Sequence, residues 1–217
     1  MIDAHQHFWK VDRGDYGWLD GAPELLRRNW LPADLAPLLK RFGVTRTVLV
    51  QAAPTAAETD YLLGLAGAHD FIAGVVGWLD LEADSFGADV ARLKQRPKFL
   101  GLRPMLQDLD DDRWILRPKV LAALKVMQDQ DIAFDILCLP RHLPHVIAAM
   151  SEVPRLRAVL DHLGKPPVAS GDLAAWRAHI AGLAGLPNVY CKLSGLVTEA
   201  DHANWTVADL APYAAEA

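Results

Sequence analysis

The clearest indication of the fold class is TRTVLVQAAPTAAETDYLLGLAGAHDFIAGVVGWLD, residues 45–80. It begins with a short β-branched run, continues through a longer segment with helical periodicity, and ends with a second β-branched run. Two such runs separated by a helix are typical of a parallel βαβ unit, so we predict two parallel strands joined by a helix. Thr55 precedes the helix and Glu58 follows three residues later, which predicts a capping box at its first turn.

The same alternation extends over the whole chain, in which seven strand-like runs are each followed by a more helical stretch. The runs are MIDAH (1–5), TRTVLVQA (45–52), IAGVVGWLD (72–80), FLGLRPML (99–106), IAFDILCL (132–139), LRAVLDHL (156–163) and NVYCKLSG (188–195). We therefore predict an α/β fold, a TIM (β/α)8-type barrel, as a single domain over residues 1–217. A doubly wound open sheet is the alternative, but no glycine-rich phosphate-binding signature follows the first strand. Because the chain stops before an eighth strand, we expect the barrel to be truncated.

Composition excludes several classes of partner. The formal net charge is -5 and no run of five or six Lys or Arg occurs, so nucleic acid is not expected to bind. No apolar run reaches the roughly 18 residues of a membrane span, and the N-terminus lacks a secretory signal, so we expect a cytoplasmic protein without membrane contact. Cys138 and Cys191 lie in apolar stretches without CxxC spacing and are expected to be reduced and buried.

Three histidines stand at the ends of predicted strands, where a barrel places its catalytic groups. His5 and His7 are two residues apart on the first strand, so both side chains share one face and form half of a divalent-metal site. Packed, hydrogen-bonded histidines are the alternative. Asp161 and His162 end the sixth strand and are followed by Lys165, which favours a catalytic role for His162 over a solvent-facing one.

Polar side chains also interrupt or end other apolar strands. Arg103 is a charged residue in an apolar strand pattern, which is costly unless its guanidinium reaches an anionic or polar partner. Gln51, Asp135 and Lys192 raise the same question at their own strand ends. We interpret all four as substrate-binding residues. The alternative is that Arg103, Asp135 and Lys192 pair with one another.

The segments that carry these residues resemble the amidohydrolase superfamily, amidohydrolase-2 type, and most closely its lactonase branch with the L-fuconolactonase and L-rhamnonolactonase types. The matching segments are DAHQHFW (3–9), YGWL (16–19), VLVQA (48–52), ETDYLL (58–63), GLRPMLQ (101–107), FDILCLP (134–140), LDHLGKP (160–166) and YCKLSGL (190–196). They occur in order over nearly the whole chain, so the resemblance does not rest on one short motif.

The resemblance implies a metal-dependent-hydrolase-like barrel that opens a sugar lactone by adding water to the ester carbonyl, in carbohydrate catabolism. It assigns His5 and His7 to metal binding and His162 to polarising the carbonyl or transferring a proton. Trp9, together with the Gln51 and Arg103 already singled out, is implied to line the substrate pocket. One divalent metal, zinc, is the implied occupant, and members of this branch can work without it.

Two departures from the family pattern leave alternatives open. The family's general base, an aspartate in a GSDWP-like segment after the eighth strand, is absent, and Asp135 stands where many metal-dependent relatives carry a His or Lys ligand. A metal-dependent decarboxylase of the same superfamily, or a catalytically silent truncated barrel, are therefore the competing functions. The expected partner is a small-molecule lactone, and a homo-oligomer is left open.

Overall fold

The computed structural model describes residues 1–216. The chain divides into two compact units, Met1–Arg103 and Pro104–Ala217, and each is described by itself. In both units parallel strands alternate with helices, so the predicted α/β class is confirmed, and each of the seven predicted runs contains a strand. The prediction of one domain over residues 1–217 stays a prediction.

The first unit contains four strands and three helices. They are β1 (Ile2–Gln6), α1 (Pro32–Phe42), β2 (Arg46–Val50), α2 (Ala56–Ala68), β3 (Ile72–Gly77), α3 (Phe86–Lys94) and β4 (Phe99–Leu102). The strands pair in parallel in chain order. Leu49, Val50 and Val75 are fully buried, as expected for parallel strands that are buried on both faces. The βαβ unit predicted from residues 45–80 is therefore confirmed.

Between residues 104 and 216 the second unit contains three strands and four α-helices, besides short 3-10 turns. They are α4 (Pro118–Asp129), β5 (Ala133–Ile136), α5 (Leu143–Glu152), β6 (Ala158–Leu160), α6 (Ala174–Ala184), β7 (Val189–Cys191) and α7 (Val207–Glu216). Parallel pairing aligns Ile136 with Leu160, and Leu160 with Cys191. Since the three strands end in register, the residues that follow them emerge at the same edge of this sheet.

Within residues 1–216, no helix has both the length and the apolar character needed to cross a lipid bilayer. Both cysteines are free thiols. Cys138 is buried as predicted, and burial raises the pKa of its thiol to about 12. The prediction was wrong for Cys191, which is exposed because it is the last residue of β7, a strand that pairs with β6 at the end of the strand order within the described residues.

Candidate active site

The histidine pair lies at the end of β1, in the first unit. The two Nε2 atoms are 3.0 Å apart, and the rings meet edge to face with their centroids 4.8 Å apart. His7 Nδ1 lies 2.8 Å from the carbonyl oxygen of Val50, the last residue of β2. A carbonyl oxygen can only accept a hydrogen bond, so Nδ1 of His7 carries the ring proton and Nε2 presents a lone pair toward His5.

This donor set has the chemistry of a metal half-site. Two nitrogens bound to one tetrahedral zinc at about 2.1 Å would lie about 3.4 Å apart, close to the 3.0 Å separation of His5 Nε2 and His7 Nε2. A histidine ligand commonly donates its second ring N–H to a carbonyl or carboxylate, as His7 does to Val50. The side chains at the end of β1 therefore fit a zinc ion.

Gln51 and Arg103 bond to each other in a reciprocal manner. The Gln51 amide donates to the Arg103 carbonyl at 2.7 Å, and the Arg103 guanidinium donates to the Gln51 carbonyl. Both residues directly follow strands that flank β3, and their exposed fractions are 0% and 3%. The guanidinium thus contacts backbone, which reduces the cost of burying its charge.

A buried carboxylate organises the turn after β2. Glu58 is fully buried and accepts hydrogen bonds from the backbone N–H of Ala52 and from that of Ala53 at 2.7 Å. Burial raises the pKa of Glu58 to about 7, although these two N–H donors act in the opposite direction.

The capping box predicted for α2 is half present. Thr55 Oγ1 accepts a hydrogen bond from the Glu58 N–H at 3.1 Å. The Glu58 carboxylate, however, binds the N–H groups of Ala52 and Ala53 and not that of Thr55.

The long segment between β1 and α1 packs onto this turn. Trp18 donates its indole N–H to the Ala52 carbonyl at 2.9 Å, so the peptide units on both sides of Ala52 are held by side chains. Trp9 meets the Trp18 ring edge to face, with centroids 5.2 Å apart, and exchanges two backbone hydrogen bonds with Trp30. Trp9 and Trp30 also line a mainly apolar cavity of about 130 Å³. An aromatic wall of this kind suits the apolar face of a sugar ring.

The second unit contains a buried cluster of charges at the edge where its own strands end. The Lys192 ammonium contacts the Asp135 carboxylate and lies 2.8 Å from Asp161 Oδ1. The side chains of Asp135 and Asp161 are 4% and 0% exposed. The pairing of Lys192 with Asp135 confirms part of the alternative interpretation given above, in which these charged residues bind one another.

His162 lies in a strained turn directly after β6. Its φ is 53°, and Leu163 and Lys165 also have positive φ values of 55° and 52°. Three non-glycine residues in the left-handed region within one turn are costly, and such strain is concentrated at functional sites. The Nδ1 atom of His162 lies 2.8 Å from the hydroxyl oxygen of Ser194, which follows β7.

Gly195 lets the His162 ring occupy this position. A Cβ atom on Gly195 would lie 2.7 Å from His162 Cγ and 2.8 Å from its Nδ1, much closer than carbon atoms approach in folded proteins. The φ of Gly195 is +69°, which a side chain also disfavours. Only glycine satisfies both conditions at this position.

Sequence reasoning missed Ser194, Gly195 and the role of Glu58. The segment KLSG places polar residues after β7, a signal that could have identified Ser194, whereas the Glu58 carboxylate resembled an ordinary capping group. Among the remaining histidines, His142 directly precedes α5. It is a buried cap whose Nδ1 accepts from the Leu139 N–H at 3.0 Å, and burial lowers its pKa.

Comparison with known proteins identifies the class to which this fold and these side chains belong. The amidohydrolase family profile matches residues 2–217, and the chain belongs to this family. An L-fucono-1,5-lactonase from Burkholderia ambifaria is 51% identical over 199 residues, which cover 92% of this chain and 69% of that protein. An L-fucono-1,5-lactonase from Burkholderia multivorans is 41% identical, with the same shares of the two chains. The predicted resemblance to the lactonase branch is therefore confirmed.

A solved structure supports the same conclusion for the fold. The crystal structure of an amidohydrolase from Burkholderia multivorans with bound zinc has a TM-score of 0.91 and 39% sequence identity, and the match covers 98% of this chain and 76% of that one. An amidohydrolase 2 from Bifidobacterium longum subsp. infantis has a TM-score of 0.72 at 29% identity, over 98% of this chain and 77% of that one. The predicted fold class, α/β of the TIM-barrel type, is thereby confirmed.

Proposed function

We propose that this chain is a carboxylic ester hydrolase that opens a sugar lactone of the L-fucono- or L-rhamnono-lactone type. The observation that carries the proposal is the 51% identity to an L-fucono-1,5-lactonase over 92% of the chain. The reaction adds water across the ester: the water oxygen bonds to the carbonyl carbon, the ring C–O bond breaks, and the ring oxygen takes a proton. The product is the open-chain hydroxy acid.

His162 is the catalytic residue in this proposal. A lactone carbonyl develops negative charge when water adds, and the departing ring oxygen needs a proton, so a group that can donate or accept a proton accelerates both steps. The Nδ1 atom of His162 is bonded to Ser194, so reaction with the lactone proceeds at Nε2. The strained turn that holds the ring is consistent with a functional demand on its placement.

His5 and His7 are the proposed metal-binding residues, with zinc as the occupant. When bound, such an ion supplies Lewis-acid polarisation of a carbonyl oxygen. His7 contributes a fixed Nε2 lone pair because the Val50 carbonyl holds its proton on Nδ1. We propose that catalysis can continue at a reduced rate without the metal.

The remaining predicted residues bind substrate in this proposal. Trp9 lines the apolar cavity and offers its ring to the sugar. The other four residues bind its polar groups in this proposal. The bonds between Gln51 and Arg103, and between Lys192 and Asp135, keep these side chains in place at the strand ends. A cytoplasmic location, a lack of nucleic-acid and membrane partners, and a homo-oligomer remain predictions.

The test measures acid release from L-fucono-1,5-lactone by the purified chain, corrected for spontaneous hydrolysis in its absence. L-rhamnono-lactone is the second substrate, and each is assayed with and without a chelator. We expect turnover of at least one lactone and a partial loss with the chelator. Loss of carbon dioxide from an unsaturated or aromatic acid, abolished by the chelator, would establish the decarboxylase instead. No turnover of either substrate class would establish a silent barrel.

A further inference from the structure

We propose that Ser194 is a positioning residue for His162, and that its hydroxyl supports both tautomers of that imidazole. The inference rests on the proposed function because it concerns how the catalytic histidine performs proton transfer. Ser194 Oγ lies 2.8 Å from His162 Nδ1, and both residues are half-buried. Ser194 does not contact the reacting atoms in this proposal. It acts through the far side of the His162 ring.

The chemical type of the partner decides what an imidazole can do. A backbone carbonyl accepts only, as Val50 does for His7, and it fixes the proton on the nitrogen that it faces. A hydroxyl has one donor and two acceptor positions and can rotate between them. Ser194 can therefore donate to an unprotonated Nδ1 of His162 or accept from a protonated one without any movement of heavy atoms.

This property matters because ester hydrolysis needs both polarisation of the carbonyl oxygen and transfer of a proton. When His162 carries its proton on Nε2, the neutral ring polarises a substrate oxygen through a hydrogen bond, and Ser194 donates its hydroxyl proton to the Nδ1 lone pair. When His162 accepts a proton at Nε2, its Nδ1 proton is donated to Ser194 Oγ, and the imidazolium keeps that hydrogen bond. The ring is held by the same atom in each form.

The surrounding backbone supports a defined orientation for this ring. Gly195 leaves no room for a Cβ beside His162, since that atom would come within 2.8 Å of Nδ1. The ring therefore packs directly on the peptide of the residue that follows Ser194. The Ser194 hydrogen bond and the packing on Gly195 together determine the torsion angle of the His162 ring. Residues that hydrogen-bond the second nitrogen of metal-binding histidines fix the orientation of the ring in the same way.

The decisive experiment reads the tautomer of His162 by two-bond ¹⁵N–¹H correlation spectroscopy on the ¹⁵N-labelled chain. A His162→Gln spectrum assigns the signal. We expect Ser194→Ala to shift the Nδ1 and Nε2 resonances of His162 and to change its tautomer ratio, whereas Ser194→Thr, which keeps a hydroxyl, retains the original pattern. Ser151→Ala is the matched control, because Ser151 is exposed and bonds only the Ile147 carbonyl among its described contacts. Unchanged His162 resonances in Ser194→Ala overturn the inference.

Kinetics on the lactone provide the second readout. Loss of an outer partner of a catalytic histidine lowers activity by about 10- to 100-fold, so we expect kcat of Ser194→Ala to fall by that factor while KM changes less than about threefold. Ser194→Thr should restore most of kcat. A tautomer shift without any fall in kcat overturns the positioning role. If the unaltered chain hydrolyses no lactone, the proposed function fails, and the tautomer measurement alone decides whether Ser194 controls His162.

Discussion

The two histidine regions of this protein differ in one respect, the kind of atom that faces Nδ1. At the end of β1 the partner of His7 is the carbonyl oxygen of Val50, and in the turn after β6 the partner of His162 is the hydroxyl of Ser194. The first partner permits one neutral tautomer, whereas the second permits both. A histidine can therefore serve as a fixed lone-pair donor or as a proton-transferring group, depending on the neighbour of its Nδ1 atom.

Replacing each histidine by glutamine tests this comparison with the largest expected effect. His162→Gln should lower kcat by about 10²- to 10⁴-fold, the usual contribution of general acid–base catalysis. His7→Gln should instead remove zinc uptake, measured by metal analysis after dialysis against zinc, and lower kcat by a smaller factor. Equal losses of kcat in the two variants, with zinc uptake unchanged in both, would contradict the division of roles.

Lys192→Met tests the charge cluster that anchors the residue before His162. The substitution leaves the buried carboxylates of Asp135 and Asp161 without this ammonium, and breaking a buried ion pair costs about 3–5 kcal/mol of unfolding free energy. Urea denaturation followed by circular dichroism measures the loss. Lys165→Met is the control, because its partner Glu199 lies 3.5 Å away and both side chains are partly exposed. Lys165→Met should cost about 1 kcal/mol of unfolding free energy or less. Similar losses for the two variants would show that the buried charge cluster of Lys192 is no more stabilising than the partly exposed ion pair.

Gly195→Ala sharpens the comparison by moving the His162 ring away from its position. The matched variant is Gly171→Ala, since Gly171 has φ +70° but no atom within 4 Å of an added Cβ. Both variants should lose about 1 kcal/mol of stability from the left-handed backbone. Only Gly195→Ala should also lower kcat/KM, by about 100-fold, because displaced catalytic groups lose orientation. Equal kcat/KM in the two variants would show that the close approach has no catalytic consequence.

The smallest effect concerns Glu58, in the first turn of α2, whose carboxylate accepts hydrogen bonds from the turn that follows Val50. Because burial raises its pKa to about 7 from the ordinary 4.5, the folded protein binds this proton more tightly than the unfolded chain. The stability that this group contributes is therefore fully present below about pH 4.5 and is lost as the pH rises through about 7. Glu58→Gln should flatten the fall of Tm across this range, whereas Asp60→Asn, at an exposed position of the same helix, should not. If Tm falls with pH in the same way in the unaltered chain, Glu58→Gln and Asp60→Asn, the raised pKa of Glu58 is contradicted.

The succession of strands and helices follows from the sequence alone, since hydrophobic periodicity and β-branched runs are local properties. All seven predicted strands form, and the run at residues 45–80 forms the predicted βαβ unit. The sequence also indicated which residues end the strands, and therefore His5, His7 and His162 as candidates. These inferences needed only the period of each element and the rule that parallel strands present their carboxyl ends at one edge.

Which atoms meet depends on packing between distant parts of the chain. The pairing of Lys192 with Asp135, at positions 57 residues apart, depends on the register of β5, β6 and β7. Burial raises the pKa of Glu58 to about 7. This burial likewise arises from tertiary packing, because the long segment between β1 and α1 packs on Ala52 and Ala53, which bind the Glu58 carboxylate. Ser194 reaches His162 because β6 and β7 are neighbours, and Gly195 is required because the ring then touches its backbone. Contacts between distant parts of the chain follow from packing, and no local pattern encodes them.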